Sequence, residues 1–172
     1  MNNIFPGLKY GKYTGAEAGI LAILRVVVGW HMLYEGVVKM MDPSWTAAHF
    51  LRESKWILSG FSEWVLSNEG VLEVVNIMNS WGLTLIGLTL ILGLFTRIAS
   101  LSGAILLLLY YLNSPPLTGL EYTVPSDGNN LIINKTFIEA ICLVVLAIFP
   151  AGRFLGMDSL FVKDQVHEKE VD

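Results

Sequence analysis

Residues Ala18 to Met41 form an apolar run long enough to cross a bilayer, yet Arg25, His31, Glu35 and Lys39 lie inside it. A charged group at the centre of a bilayer costs about 3 kcal/mol on insertion scales, so such groups normally turn into a helix bundle and find partners there. As a helix the run is about 36 Å long, which crosses the hydrocarbon with some tilt. It is too long and too interrupted for a secretory signal and is expected to be retained. Gly15 and Gly19 lead into it, and Asp42-Pro43 stops it because proline cannot continue the hydrogen-bond ladder.

Composition makes the same case. Of the 172 residues, 53% are apolar and 15% charged, where a soluble domain carries about a quarter charged residues. The mean hydropathy is +0.57. This length holds one domain of at most four or five spans of about 20 residues, which excludes a large multi-domain enzyme. A net charge of -4 without a basic run argues against nucleic acid as a partner. The single cysteine, Cys142, rules out an internal disulfide, a CxxC pair or a thiolate cluster within the chain. Any redox cofactor must therefore be borrowed.

Three further spans are expected, at about residues 71–94, 98–113 and 131–149, with Thr96-Arg97 as a tight turn between the second and third. Pro115-Pro116 ends the third and Pro150 the fourth, and residues 117–130 form a loop rich in turn signals. Residues 44–68 are too broken to span, but Phe50, Ile57, Phe61 and Trp64 share one side of a helical projection. A helix in the membrane interface and a soluble amphipathic cap on the bundle both fit that pattern. The expected fold is thus all-α: an integral membrane four-helix bundle over residues 18–160, with an extracytoplasmic interfacial helix between the first two spans. Residues 1–17 are a leading segment and 161–172 a polar tail. The distribution of Lys and Arg places both termini on the cytoplasmic side of a cytoplasmic membrane.

At about 100° per residue, Glu17, Arg25, His31, Glu35 and Lys39 occupy roughly a third of the first helix's circumference, with His31–Glu35 and Glu35–Lys39 at i, i+4 spacing. Gly29 and Gly36 lie near the same face and invite a neighbouring backbone. Glu73, Asn76, Ser80, Thr84 and Gly87 share a face of the second span, with Asn79 at its margin; the fourth offers Asn134, Lys135 and Glu139. Antiparallel packing brings most of these into one outward-opening polar cluster, with Arg25 apart toward the other end. Bland roles compete for each. Lys39, Glu73 and Lys135 can snorkel to the interface, Asn76 and Asn79 can be interhelical glue, Arg25 can reach headgroups, and His31 can be a bonded core residue. Glu35 and Glu139 are harder to set aside, since a carboxylate shielded from bulk water suits proton exchange beside a quinone or thiol substrate. His49 and His167 lie outside the spans, which disfavours a buried bis-His haem, and no metal site is indicated. Cys142 reads as a packing residue.

Three segments together resemble the DoxX family. RVVVGWHMLYEGVVKM carries Arg25, Gly36 and Lys39. LTLILGLFTRIASLSGAILLLL carries Gly93, Thr96 and Arg97, and LIINKTFIEAICLVVLAIFPAGRFLGMD carries Asn134, Lys135, Glu139, Arg153 and Asp158. The resemblance implies a four-helix membrane protein. It also points to DoxD, the membrane subunit of a thiosulfate:quinone oxidoreductase that acts with a second subunit. Arg97, Arg153 and Asp158 are expected to fix topology and a helix end. Three functions then compete. The first is a quinone-linked oxidoreductase subunit, with a small sulfur species held by Lys39 and Lys135 and protons carried by Glu35, Glu139 and His31; Asn134, Arg25 and Asn79 complete the binding set. The second is a non-catalytic scaffold for a partner enzyme, and the third a small-solute transporter, for which a homodimer would supply the missing half.

Overall fold

A computed structural model describes residues 15–117, 119, 120, 122, 132–149, 152 and 156–158. Most of residues 1–17, most of the 117–130 loop and the 161–172 tail fall outside the described residues. Within them the chain is helical: α1 Gly15–Met41, α2 Ala48–Arg52, α3 Ser59–Leu66, α4 Glu69–Leu92, α5 Thr96–Asn113 and α6 Lys135–Ile148. Three of these, α1, α4 and α5, are long and apolar enough to cross a membrane. The fourth expected span is shorter than its sequence suggests. Asn134 is extended and its side chain accepts a hydrogen bond from the Phe137 N–H, so α6 starts at Lys135 and has 14 residues, about 21 Å of helix.

Val28 and Met32 of α1, Leu83 and Leu90 of α4, Ala99, Ala104 and Leu107 of α5, and Ala140, Leu143 and Leu146 of α6 form one buried core. Two pairings dominate its construction, α1 on α4 and α5 on α6. The α1–α4 crossing is close enough to require glycine on both sides. A Cβ at Gly36 would strike Thr84, and one at Gly87 would strike the Leu33 backbone. The expectation of a close neighbour at Gly29 and Gly36 is met by α4.

The turn between α4 and α5 lies slightly earlier than expected. Gly93 closes α4 in the left-handed region at φ 67°, and Thr96-Arg97 already belong to α5. Asp158 comes from far along the chain to serve this turn. Its Oδ1 accepts from the Phe95 N–H at 2.7 Å and its Oδ2 from the Thr96 N–H at 3.0 Å. Its own amide donates to the Gly93 carbonyl at 2.9 Å. A carboxylate at a helix N-terminus answers unsatisfied amides and the positive end of the helix dipole, which gives Asp158 the helix-end role expected of it.

The 44–68 segment forms two short helices instead of one. The chain turns at Glu53–Leu58, and this break separates residues that one helix would keep on a single face. Phe50 turns inward and meets Tyr110 edge-on at 5.4 Å, while Ile57, Phe61 and Trp64 stay outward, 66%, 55% and 53% exposed. Buried Asn113 at the end of α5 holds both short helices: its Oδ1 accepts from the Ser62 hydroxyl at 3.0 Å and its Nδ2 donates to the Phe50 carbonyl at 2.9 Å. Asn76 of α4 accepts the Ala47 N–H at 2.8 Å. The cap is therefore tied to α4 by the half-buried amide of Asn76 and to the end of α5 by the buried amide of Asn113.

Gly87→Ala should lower stability by about 1–3 kcal/mol, the usual range for overpacking, whereas Gly82→Ala, whose new methyl meets nothing within 4 Å, should not; thermal unfolding in mild detergent followed by circular dichroism separates the two. Asp158→Ala removes both side-chain caps from α5 and should cost about 1–2 kcal/mol in the same assay, with Asp158→Asn retaining part of the loss because one amide oxygen remains.

Candidate functional site

One face of α1 supplies the first part of the site. The i, i+4 spacing stacks His31, Glu35 and Lys39, with Lys39 Nζ 3.7 Å from Glu35 Oε2 and His31 Nε2 4.0 Å from Glu35 Oε1. Helix α6 completes it: Glu139 Oε1 lies 2.7 Å from His31 Nδ1, a short hydrogen bond that joins two helices. The Lys39 ammonium stands 5.5 Å from the Trp45 ring centre and 5.6 Å from that of Tyr110, within the range of cation–π attraction.

Above this row, under the cap, opens a chamber of about 580 Å³, inside the size range of small-molecule sites. Glu35, Lys39 and Asn79 supply polar groups, Trp45, Phe50, Tyr110 and Tyr122 the aromatic walls, Asp42 and Glu53 further carboxylates, and His49 an imidazole. Two buried polar atoms of its lining, Asn79 Oδ1 and the Tyr110 hydroxyl, complete no well-formed hydrogen bond, although the two side chains lie within reach of each other. Leaving such atoms unpaired costs about 1–3 kcal/mol each, so the chamber offers a ligand an acceptor and a hydroxyl. A smaller chamber of about 170 Å³ adjoins it, lined by His31, Glu139, Lys135 and Thr136 together with Glu35, Lys39 and Tyr110.

Outside the spans, two groups are tuned by their neighbours. The Ser44 hydroxyl and amide both donate to Asp42 Oδ1, at 2.6 and 2.9 Å, and hold its carboxyl below the usual carboxylate range. Burial pushes the Tyr122 phenol up, and the negative charge of Glu53 adds to this. Tyr122 thus stays a neutral donor, and its hydroxyl donates to the Pro115 carbonyl at 2.8 Å.

Of the residues singled out from the sequence, the fold brings together His31, Glu35, Lys39, Asn79, Lys135 and Glu139. Asn134 is spent on capping α6. Asn76 ties down the cap, and Glu73 is exposed. Arg25 lies at the opposite end of α1, 3% exposed, against Gly93 and Gly156 and within the field of Asp158. Ten residues of helix, about 15 Å, separate it from Glu35, so its geometry is that of a brace for the α4–α5 turn. Tyr110, Tyr122 and Thr136 went unremarked in the sequence, and Trp45 and Phe50 were read only as part of the cap. Tyr110 carried a signal, a hydroxyl near the end of a mostly apolar span; Trp45 and Phe50 enter through the cap, whose path the sequence left open. Among the described residues no three His, Cys, Asp or Glu side chains are grouped as metal ligands.

Apolar helices of spanning length around a paired, charged cluster define a helical membrane protein with a polar site. More narrowly, the DoxX family model matches residues 20–112, from α1 into the last turn of α5, and the chain belongs to the DoxX family. Glu139 and the rest of α6 lie beyond the matched stretch. Comparison with curated proteins and with solved structures finds no match.

If the His31–Glu139 bond couples α1 to α6, then His31→Leu and Glu139→Leu should each destabilise, and the double variant should cost less than their sum by about 1–2 kcal/mol. A double-mutant cycle of thermal unfolding in detergent measures this; strict additivity would mean that the contact carries no energy.

Proposed function

We propose that this DoxX-family protein is a quinone-linked oxidoreductase subunit that takes electrons from a small sulfur species, and that the larger chamber receives the quinone headgroup. The reading is supported chiefly by one observation: an aromatic-walled chamber of about 580 Å³ whose polar groups include the Glu35–Lys39 pair and the neighbouring Asn79 and Tyr110, whose buried oxygens complete no well-formed hydrogen bond. These residues fit such a group. Lys39 and the Tyr110 hydroxyl donate toward a carbonyl oxygen, Asn79 Oδ1 and Glu35 accept from a hydroxyl, and Trp45 and Phe50 sandwich a flat ring and exclude water.

A bound quinone supplies the capacity to take up two electrons and two protons. The chain supplies position and proton carriers. Glu35 moves a proton at Oε1 or Oε2, Lys39 offsets the carboxylate charge left when it has gone, and His31 with Glu139 extends the path by one hydrogen bond. The donor, an anion such as thiosulfate, is attracted by Lys39 and Lys135, and a quinone bound in the larger chamber would supply the two-electron oxidant. In this reading α6 completes a four-helix bundle, α2 and α3 lie in the outer membrane interface on Trp56, Ile57, Phe61 and Trp64, both termini are cytoplasmic, and a partner redox subunit acts with the chain. The same exposed face of the cap favours a second reading, a scaffold on which a partner enzyme docks without chemistry in this chain.

Extraction and mass spectrometry of protein purified in mild detergent should find quinone in the wild type and much less in the Asn79→Leu/Tyr110→Phe double variant, with the affinity for decylubiquinone weakened about tenfold, or about 1.4 kcal/mol. Protein that neither retains quinone nor reduces it with any sulfur donor, in cells indifferent to Glu35→Gln and Glu139→Gln, would favour the scaffold, as would loss of function confined to Trp56 and Trp64 variants.

A further inference from the structure

The polar groups of the site are divided between two chambers. Asn79 and the cap residues line only the larger; His31, Glu139, Lys135 and Thr136 line only the smaller; Glu35, Lys39 and Tyr110 line both and form the partition. At about 170 Å³ the smaller chamber falls below the usual range for organic ligands but holds several waters. Its rim carries Lys135, an exposed ammonium that needs water around it.

His31 stands between two carboxylates with one ring nitrogen toward each, Nδ1 at 2.7 Å from Glu139 and Nε2 at 4.0 Å from Glu35. The titratable groups that share its chamber are Glu35 and Lys39 from α1, Tyr110 from α5, and Lys135 and Glu139 from α6; α4 contributes only Leu83. Two lysines and two glutamates line this chamber, an arrangement that suits a proton in transit. An imidazole in such a position takes a proton at one nitrogen while giving one up at the other. The 4.0 Å gap closes with a small rotation of Glu35, whose side chain is 45% exposed.

We propose that the smaller chamber is a hydrated proton inlet, separate from the ligand chamber, with His31 as its relay. Water beside Lys135 protonates Glu139, Glu139 Oε1 passes its proton to His31 Nδ1, and the Nε2 proton passes to the Glu35 carboxylate, which faces the ligand. Each transfer breaks one O–H or N–H bond and forms another, and no electron moves. The assignment rests on the reading of the larger chamber as a redox-ligand site. It adds that water reaches His31 by a route the ligand does not block.

The test uses the full chain in lipid nanodiscs and reads the exchange with water of the downfield His31 ring N–H resonance, assigned by its loss in His31→Gln. Exchange should be the same with and without saturating decylubiquinone. Thr136→Phe should slow it at least tenfold while decylubiquinone affinity stays within twofold. Should that variant misfold, Lys135→Cys in a Cys142→Ser background, plugged with a bulky maleimide after purification, should slow it to the same extent. Exchange that slows when decylubiquinone binds, or that ignores both plugs, would overturn the separate inlet. Failure of decylubiquinone to bind would instead sink the redox reading, and the two plugs would still decide whether the inlet exists.

Discussion

Hydrocarbon does not tolerate an unpaired charge, and the arrangement of this protein follows from how α1 meets that constraint. Its charged row is compensated in two directions. Glu35 and Lys39 offset each other along the helix, and His31 is answered by Glu139 across to α6. The second pairing is the consequential one. It ties the first helix of the chain to the last described one and fixes a polar seam at a definite depth, so that the space beside the seam cannot be filled by apolar packing alone.

The close approach of α1 and α4 serves the same seam. With glycine at the crossing, the two backbones meet without intervening side chains, and the bulk of α1 at Met32 and Val28 is directed to the α5–α6 side. At the other end, buried Arg25 and Asp158 brace the turn between α4 and α5. One end of the protein is thereby stapled shut, and the capped end is left hollow. The side-chain amides of half-buried Asn76 and buried Asn113 suspend the cap over the hollow instead of letting it collapse inward.

A hollow of this kind suits chemistry that separates a flat ligand from the protons it exchanges. Asn79 and the aromatic walls of the cap lie on one side of the partition formed by Glu35, Lys39 and Tyr110, and the His31–Glu139 pair on the other. In the proposed reading the chain holds no redox centre of its own and contributes position, charge balance and proton carriers. Such a part suits a small membrane subunit that works with a partner.

The spans of α1, α4 and α5 were legible in the sequence because apolar runs and Pro or Gly stops act locally, and the i, i+4 row of α1 follows from helix geometry alone. The family likeness was legible for the same reason, since it rests on short contiguous segments. Other features were settled only by tertiary contacts. Asn134 and Glu139 were both expected in the polar cluster, one to bind and one to carry protons, yet Asn134 caps α6 while Glu139 reaches His31, a difference set by where α6 begins. Arg25 was expected apart from the cluster, but its neighbours there, Gly93, Gly156 and Asp158, come from distant parts of the chain. Phe50 parted from Phe61 and Trp64 when the cap broke into two helices. Sequence fixes direction around a helix axis; the depth at which neighbouring helices meet, and hence which polar groups share a chamber, depends on side chains distant in the chain.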